Sequence, residues 1–220
     1  MIKLNLGCGA VRPKGWTNTD SSLNSLLQQL PIIGNLLARR YSKVLYKSGN
    51  ARFMNLNKPW GFVSNTVDVV YASHLFEHLK LSSRDLFLKE AYRCLKPGGV
   101  IRLVVPDLYK HAKTYVERVE RGEEEAYRDL LWALNLHRDN TYPPGHLLGS
   151  VVGWLQGWPH QHKFMYDHFL LTKLLKDNGF TAMEAQSFGQ SLYLDEIAEV
   201  ENPDTRGYGN SLYLEAKKAI

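Results

Sequence analysis

Histidine and glutamate side chains cluster in the segment that follows a predicted buried strand. His74, Glu77 and His78 form the pattern His-x-x-Glu-His. On a helix, histidines four positions apart share one face and can bind zinc while the glutamate acts as a general base. Here the motif starts directly at the end of the strand, which places the first histidine ahead of any helix. We therefore expect no zinc site at this motif.

Two further groups of residues contain metal-ligand atoms. His160, His162 and His168 lie close together in the sequence, whereas Cys8 and Cys94 are far apart and lack the spacing of a metal site. Cys94 falls on the apolar stripe of a predicted helix, where it is expected to pack in the core. We expect neither group to bind a metal ion.

A glycine turn follows the first predicted strand. Gly7-Cys8-Gly9 lets the backbone approach a ligand, and open α/β sheets bind ligands at this end of their strands. Asp20 ends the next strand, where a carboxylate can accept hydrogen bonds from ribose hydroxyls. Arg12 occupies the place of the third glycine of a pyrophosphate-binding fingerprint, and the six residues before Trp16 leave no room for a crossover helix. The pattern disfavours NAD and FAD and permits a nucleoside ligand without a pyrophosphate.

Alternating strand and helix patterns position these residues. The predicted strands cover residues 2–6, 16–20, 52–55, 67–72, 100–105, 181–188 and 211–216. The predicted helices are two short ones within 22–40, one over 83–95, one over 108–137 with a charged interruption at 121–125, and one that begins after Asp167. This order predicts an α/β fold with a mostly parallel sheet.

Composition limits the class of protein. The chain has 220 residues, of which 44% are hydrophobic, and it contains only two cysteines, so it is neither a disordered chain nor a disulfide-rich miniprotein. No apolar stretch reaches the ~20 residues of a membrane span. The net charge of +5 is small for a nucleic-acid-binding protein, and no such motif is present. We expect a single cytoplasmic domain, residues 1–220, without a nucleic-acid partner or a transmembrane segment.

Several motifs occur in a fixed order along nearly the whole chain. They are Leu4 to Gly9, Asp20, Asp68 to Leu79, Leu95 to Gly99 and Asn178 to Phe180. Their order and spacing resemble those of class I S-adenosylmethionine-dependent methyltransferases. Segments 15–20 and 158–163 further resemble a small bacterial group of type 11-like predicted methyltransferases, often associated with glycan or cell-surface biosynthesis. The resemblance implies a Rossmann-like sheet with an antiparallel last strand, a shortened or missing first crossover helix, and an acceptor-site insertion around 138–166.

The resemblance also implies positions for S-adenosylmethionine. Asn5 and Asn55 stand where the family commonly has acidic residues, and an amide can partly imitate a carboxylate by hydrogen bonding. The implied cofactor-binding residues are Leu6, Gly7, Cys8 and Gly9 at the methionine part, Asp20 at the ribose, Asn55 and Leu56 at the adenine, and Ser73 near the methyl-donor end.

Four residues are candidates for acid/base work or for orienting the acceptor. His74 and His162 are the first choices, and Glu77 and Asp107 follow. Structural roles are open for each: Glu77 and Asp107 can cap helices, and His78 can pack. The expected function is methyl transfer to oxygen or nitrogen of a small-molecule or glycan acceptor. A non-catalytic cofactor-binding or scaffold protein, and a zinc-dependent hydrolase using His74, Glu77 and His78, remain as alternatives.

Overall fold

The computed structural model describes residues 1–21, 51–136, 161–201 and 209–220. These residues form a seven-stranded sheet with the order β3-β2-β1-β4-β5-β7-β6. The strands are β1 (Lys3–Leu6), β2 (Trp16–Asp20), β3 (Arg52–Phe53), β4 (Val67–Ser73), β5 (Leu95–Pro106), β6 (Phe180–Gln186) and β7 (Ser211–Lys218). The described helices are α1 (Leu81–Cys94), α2 (Leu108–Glu120), α3 (Ala126–Ala133) and α4 (His168–Asp177), with short 3₁₀ helices at Phe76–His78 and Ile197–Glu199.

The sheet has the predicted strand directions. β1 pairs in parallel with β2 and β4, β2 with β3, and β4 with β5. β7 lies antiparallel between β5 and β6. The predicted α/β class, with a mostly parallel Rossmann-like sheet and an antiparallel last strand, is therefore confirmed.

The connection between β1 and β2 contains no helix. It forms a compact turn in which the backbone N–H of Cys8 donates to the carbonyl of Thr19 over 2.9 Å. The buried Asn5 amide donates to the carbonyl of Val11 over 2.8 Å and to the side chain of Asn18 over 2.9 Å. The predicted loss of the first crossover helix is confirmed, and Asn5 holds the replacement loop in place.

Helices cover one face of the sheet. Apolar residues alternate along the central strands, so that Val70 and Ala72 of β4 face a large core. The helices add their own apolar stripes to that core: Phe87, Leu88, Ala91 and Cys94 from α1, and Leu171 and Leu175 from α4. Asp167 caps α4 as predicted, because its carboxylate accepts from the N–H of Leu170 over 2.8 Å.

An irregular segment, residues 187–201, covers the opposite face. Ile197 and Val200 from this segment pack on Trp16, Tyr71 and Tyr213 of the sheet. These contacts bury the face that a helix between β1 and β2 would otherwise cover. The polypeptide from the end of β6 thus substitutes for the missing crossover helix.

Several predicted boundaries need correction. β5 begins at Leu95, not at residue 100, because residues 96–99 form an irregularity in the β4–β5 ladder, where Gly98 has φ = 76°. β3 and β6 are shorter than expected, whereas the break at 121–125 separates α2 from α3 as predicted. The two helices predicted within 22–40 lie outside the described residues. Among the residues that are described, no helix is long and apolar enough to cross a membrane.

Candidate functional site

The carboxyl ends of β2, β1 and β4 meet at one edge of the sheet. Leu6 is in register with Thr19 of β2 and with Ala72 of β4. The residues that follow these positions, Gly7, Asp20 and Ser73, are therefore neighbours at the same edge. This is the edge at which open α/β sheets bind ligands.

The backbone conformation of the turn favours glycine at positions 7 and 9. Gly7 has φ = 64°, and a Cβ atom there would lie 2.9 Å from Cδ1 of Leu75. Gly9 has φ = 50°, and the space that its Cβ would enter is open. The N–H of Gly9 donates to Oδ2 of Asp20 over 3.1 Å. The turn is thus fixed against the end of β2, with open space beside Gly9 for a ligand.

Cys8 is buried in this turn. Burial, reinforced by the nearby Asp20 carboxylate, raises the pKa of the Cys8 thiol to about 11. The thiol therefore stays protonated at neutral pH, and Cys8 is not poised to act as a nucleophile.

A cleft of ≈ 140 Å³ opens between the strand ends and the segment 187–201. It is smaller than the ~300–1,000 Å³ of a typical ligand pocket, so it accommodates only part of a cofactor-sized molecule. Its lining includes Asn5, Cys8, Tyr71, His74, Phe188 and Tyr213. The three aromatic rings give the cleft flat apolar walls, and burial raises the pKa of Tyr71 well above its ordinary value.

His74 stands where β4 leaves the sheet. Its φ of 49° lies in the left-handed region, and its N–H donates to the carbonyl of Val104 over 2.9 Å. In the side chain, Nε2 lies 3.1 Å from Oγ of Ser211, and Nδ1 lies 3.2 Å from Oε1 of Glu77. The turn thus presents the imidazole to the cleft with a hydroxyl on one side and a carboxylate on the other.

Glu77 lies directly behind His74 in the 3₁₀ helix. Its side chain is 0% exposed, and neither carboxylate oxygen makes a contact of hydrogen-bond geometry with the described residues, although Nδ1 of His74 lies 3.2 Å from Oε1. Its backbone carbonyl accepts from the N–H groups of Lys163 and Phe164, over 2.7 and 3.2 Å. The backbone of Glu77 is therefore tied to the segment that carries His162, while its carboxylate has only imidazole nitrogens as polar side-chain neighbours in the described part of the chain.

His78 and His162 approach the same carboxylate. Nε2 of His78 lies 3.9 Å from Oε1 of Glu77, and the two imidazole centroids are 4.9 Å apart. Ligand atoms of Glu77, His78 and His162 all lie within 4.8 Å of one another. Burial lowers the pKa of His162, against a smaller opposing effect of Glu77. His162 is therefore neutral at pH 7.

The structure brings together three of the four candidate catalytic residues, because His74 and His162 both approach Glu77. The fourth, Asp107, has a structural role: its buried carboxylate caps α2 by accepting from the N–H groups of Tyr109 and Lys110. The alternative that Asp107 caps a helix is therefore confirmed. The same alternative for Glu77 is wrong, because its carboxylate caps no helix.

The residues implied at the adenine have other contacts. Asn55 accepts from the N–H of Asn57 over 2.9 Å, which forms a local turn. Leu56 packs its side chain in the large core. Only the backbone of Leu56 is therefore available to a ligand.

Sequence reasoning missed Ser211, Gln161 and the aromatic wall formed by Phe188 and Tyr213. Ser211 meets His74 because β7 inserts between β5 and β6, and Gln161 contacts His78 from 83 positions away. No local spacing signals such contacts, because they arise from the order of strands in the sheet.

Comparison with known proteins agrees with this fold. The family model described as "Methyltransferase domain" matches residues 35–103. An S-adenosylmethionine-dependent methyltransferase from Thermotoga maritima, described as a possible histamine N-methyltransferase, is 13% identical with a TM-score of 0.51, and the match covers 99% of this chain and 82% of that one. The citrinin polyketide synthase CMeT domain is 14% identical with a TM-score of 0.50, and the match covers 100% of this chain and 46% of that one. No curated protein sequence matches significantly.

The molecule has the fold of class I S-adenosylmethionine-dependent methyltransferases. Within that class, the sequence match is to the methyltransferase domain family, over the segment that leads through β3, β4 and α1 into β5. The resemblance to class I methyltransferases that was drawn from the sequence motifs is thereby confirmed. At such low identities the solved structures show a shared fold, and this chain spans less than half of the polyketide synthase structure.

Proposed function

We propose that this protein transfers a methyl group from S-adenosylmethionine to oxygen or nitrogen of a small-molecule or glycan acceptor. One observation carries the proposal: the glycine turn, Asp20, Ser73 and His74 converge on the edge of the sheet where β2, β1 and β4 end. The open space beside Gly9 fits a ligand that lies close to the backbone.

The residues at this edge would contact different parts of the cofactor. Asp20 accepts hydrogen bonds from the ribose hydroxyls, and residues 6–9 lie along the methionine part of the cofactor. The backbone at Asn55 and Leu56 borders the adenine, and Ser73 lies near the sulfonium. The bound cofactor supplies an electrophilic methyl group, so the protein has to position the acceptor, exclude water and accept a proton.

His74 is our choice for the group that accepts the acceptor's proton. It lines the cleft, and the buried Glu77 stands 3.2 Å from its Nδ1. A carboxylate in that place orients the ring and stabilises the imidazolium that forms. His162 meets the same carboxylate from the other side and is absent from the described lining of the cleft. His162 therefore acts, in this proposal, through Glu77.

The surfaces around the cleft support the proposed acceptor class. Tyr71, Phe188 and Tyr213 supply flat walls suited to a sugar or another ring. We also propose that the insertion around 138–166 completes the acceptor pocket, although residues 137–160, with Trp154 and Trp158, lie outside the described part of the chain. Both cysteines are unpaired and buried, which suits the proposed cytoplasmic location.

Calorimetric titration with S-adenosylmethionine tests the proposal. We expect the wild-type protein to bind it and not NAD. Loss of a charged hydrogen-bond acceptor costs about 1.5–3 kcal/mol, so Asp20→Ala should weaken binding roughly 10- to 150-fold. Asp20→Asn keeps an oxygen for the N–H of Gly9 and should fall between the two.

Asp177→Ala is the matched control, because that carboxylate is exposed on α4 and pairs with Lys173. It should bind the cofactor like wild type. Absence of wild-type binding to a folded protein, or equal affinity in the Asp20 and Asp177 variants, would overturn the proposed cofactor site.

A further inference from the structure

A second cluster of chemically active residues lies beneath the cleft. It consists of Glu77 and His78 from the 3₁₀ helix, and His162 from the segment that precedes α4. Glu77 is fully buried and its carboxylate oxygens make no contact of hydrogen-bond geometry with the described residues, and Nδ1 of His162 is likewise buried without a hydrogen-bond partner. Potential metal-ligand atoms without hydrogen-bond partners therefore lie close together in a buried place.

A backbone carbonyl fixes the tautomer of His78. Nδ1 of His78 lies 3.1 Å from the carbonyl oxygen of Gln161, so Nδ1 carries the hydrogen and Nε2 carries the lone pair. Nδ1 of His162 is buried and has no hydrogen-bond partner among the described residues. This ring nitrogen is therefore available to a ligand.

Two ring nitrogens and a carboxylate thus meet in the same small space. A buried carboxylate that accepts no hydrogen bond is costly, and the lone pair of His78 Nε2 beside it adds repulsion. A cation among the three groups would satisfy all of them at once. His78 has the arrangement of metal-bound histidines, in which the second ring nitrogen donates to a backbone carbonyl and fixes the ring.

We propose that Glu77, His78 and His162 bind a divalent transition-metal ion of the zinc type. Two imidazole nitrogens and one carboxylate suit Zn²⁺ and Co²⁺, whereas Mg²⁺ and Ca²⁺ prefer all-oxygen sites. The ligand atoms now lie within 4.8 Å of one another, and small side-chain rotations bring them to the ~2.0–2.2 Å metal distances of such sites. Three protein ligands leave a fourth position open.

This ligand set differs from the one that the sequence motif suggested. The His-x-x-Glu-His pattern pairs His74 with His78, and its position at a strand end led us to expect no metal there. The structure directs His74 to Ser211 and the cleft, and it supplies His162 in its place. The proposal rests on the contacts of these three residues. Glu77 and His162 also have roles in the proposed methyl transfer, but metal binding is measured without cofactor or acceptor.

Cobalt and zinc titrations of protein made without a histidine tag and stripped with a chelator test the site. We expect one Co²⁺ per chain, with the visible absorption of a four- or five-coordinate ion, displacement by Zn²⁺, and a higher melting temperature with either metal. Mg²⁺ at the same concentration should bind at least about 100-fold more weakly than Zn²⁺.

Variants assign the ion to the three residues. His162→Ala and His78→Ala should each weaken Co²⁺ binding at least about 100-fold, and Glu77→Gln should do the same while keeping the side-chain shape. His168→Ala is the matched control, because His168 is exposed and lies close to His162 in the sequence. It should bind Co²⁺ like wild type.

Two results would overturn the site. One is wild-type protein that binds no stoichiometric Co²⁺ or Zn²⁺, in which case a proton shared between Glu77 and His78 explains the cluster. The other is unchanged Co²⁺ affinity in the folded His162 and His78 variants. If a variant does not fold by circular dichroism, the wild-type stoichiometry and spectrum decide. Cofactor titration is a separate measurement, so failure of either proposal is recognised independently.

Discussion

Two buried glutamate clusters in this molecule differ in one respect, the supply of hydrogen-bond donors. In the first, the fully buried Arg102 donates from Nε and Nη2 to the two carboxylate oxygens of Glu201, over 2.7 and 2.6 Å, and from Nη1 to Glu215 over 2.8 Å. The N–H of Gly189 also donates to Glu201, and the N–H of Leu192 donates to Glu215. In the second cluster, the equally buried Glu77 has no such donors among the described residues.

The difference separates a structural clamp from a candidate site. Arg102 joins β5, β7 and the segment 187–201, and every group in that network has a partner. Because each group in the network is hydrogen-bonded within the protein, the network gains nothing from binding an ion or a ligand. Glu77 has imidazole nitrogens near its carboxylate and no such arginine, so a bound cation would stabilise it. Glutamates of similar burial therefore differ in whether the protein itself satisfies them.

Removal of the clamp should have the largest effect on folding. Arg102→Met leaves two carboxylates buried without their cation, which costs about 3–5 kcal/mol. For a chain of this size that corresponds to roughly 6–20 °C in melting temperature. Urea and thermal unfolding measure both quantities.

The exposed Arg121, which pairs with Glu123 on the surface, provides the control. Arg121→Met should change the free energy of unfolding by less than about 0.5 kcal/mol. If Arg102→Met is equally mild, the network is not a clamp.

Isosteric changes at the two kinds of glutamate give an intermediate effect. Glu215→Gln weakens charged hydrogen bonds from Arg102 and Leu192 and should cost about 1.5–3 kcal/mol. Glu77→Gln, measured in chelator-treated protein, loses only the 3.2 Å contact with Nδ1 of His74 and should cost less than about 1 kcal/mol. Urea unfolding of the two variants side by side measures the difference, and equal losses would show that Glu77 is hydrogen-bonded as strongly as Glu215.

The smallest effect concerns acid sensitivity at a third paired carboxylate. Hydrogen bonds from Arg93, opposed by burial, hold the pKa of Glu90 below its ordinary value of 4.5, and the N–H of Trp60 contributes. A lowered pKa means that stability from Glu90 is present above pH 4.5 and is lost as the pH falls through the folded-state value.

Glu90→Gln should therefore flatten that part of the stability–pH curve, by less than about 1 kcal/mol because Arg93 is partly exposed. Urea unfolding from pH 6 to pH 3 tests this. An unchanged slope would mean that other carboxylates dominate acid unfolding.

The sequence was most informative where structure is local. The six residues between Gly9 and Trp16 excluded a crossover helix, and Asp167 marked the start of α4, because both depend on chain length and capping. The mostly parallel sheet with an antiparallel last strand and the glycine turn followed from the motifs.

The sequence was least informative about contacts between distant segments. Arg102 lies within a strand that was predicted from its apolar residues, and nothing nearby shows that Glu201 and Glu215 pair with it. His162 likewise meets Glu77 only because the segment before α4 packs on the 3₁₀ helix. Such contacts depend on the sheet order and on side-chain packing, which no local pattern encodes.

The cover supplied by the segment 187–201 has a consequence for the order of events during synthesis. β1 and β2 are synthesised before residues 187–201, but Trp16 and Lys3 bind Glu199, and the wall of the cleft includes Phe188. Contacts between segments that are distant in the sequence form late, since they need all the polypeptide that lies between them. The glycine turn is thus synthesised long before the segment that walls the cleft beside it. A nascent chain therefore completes the cleft only after residues 187–201 have left the ribosome.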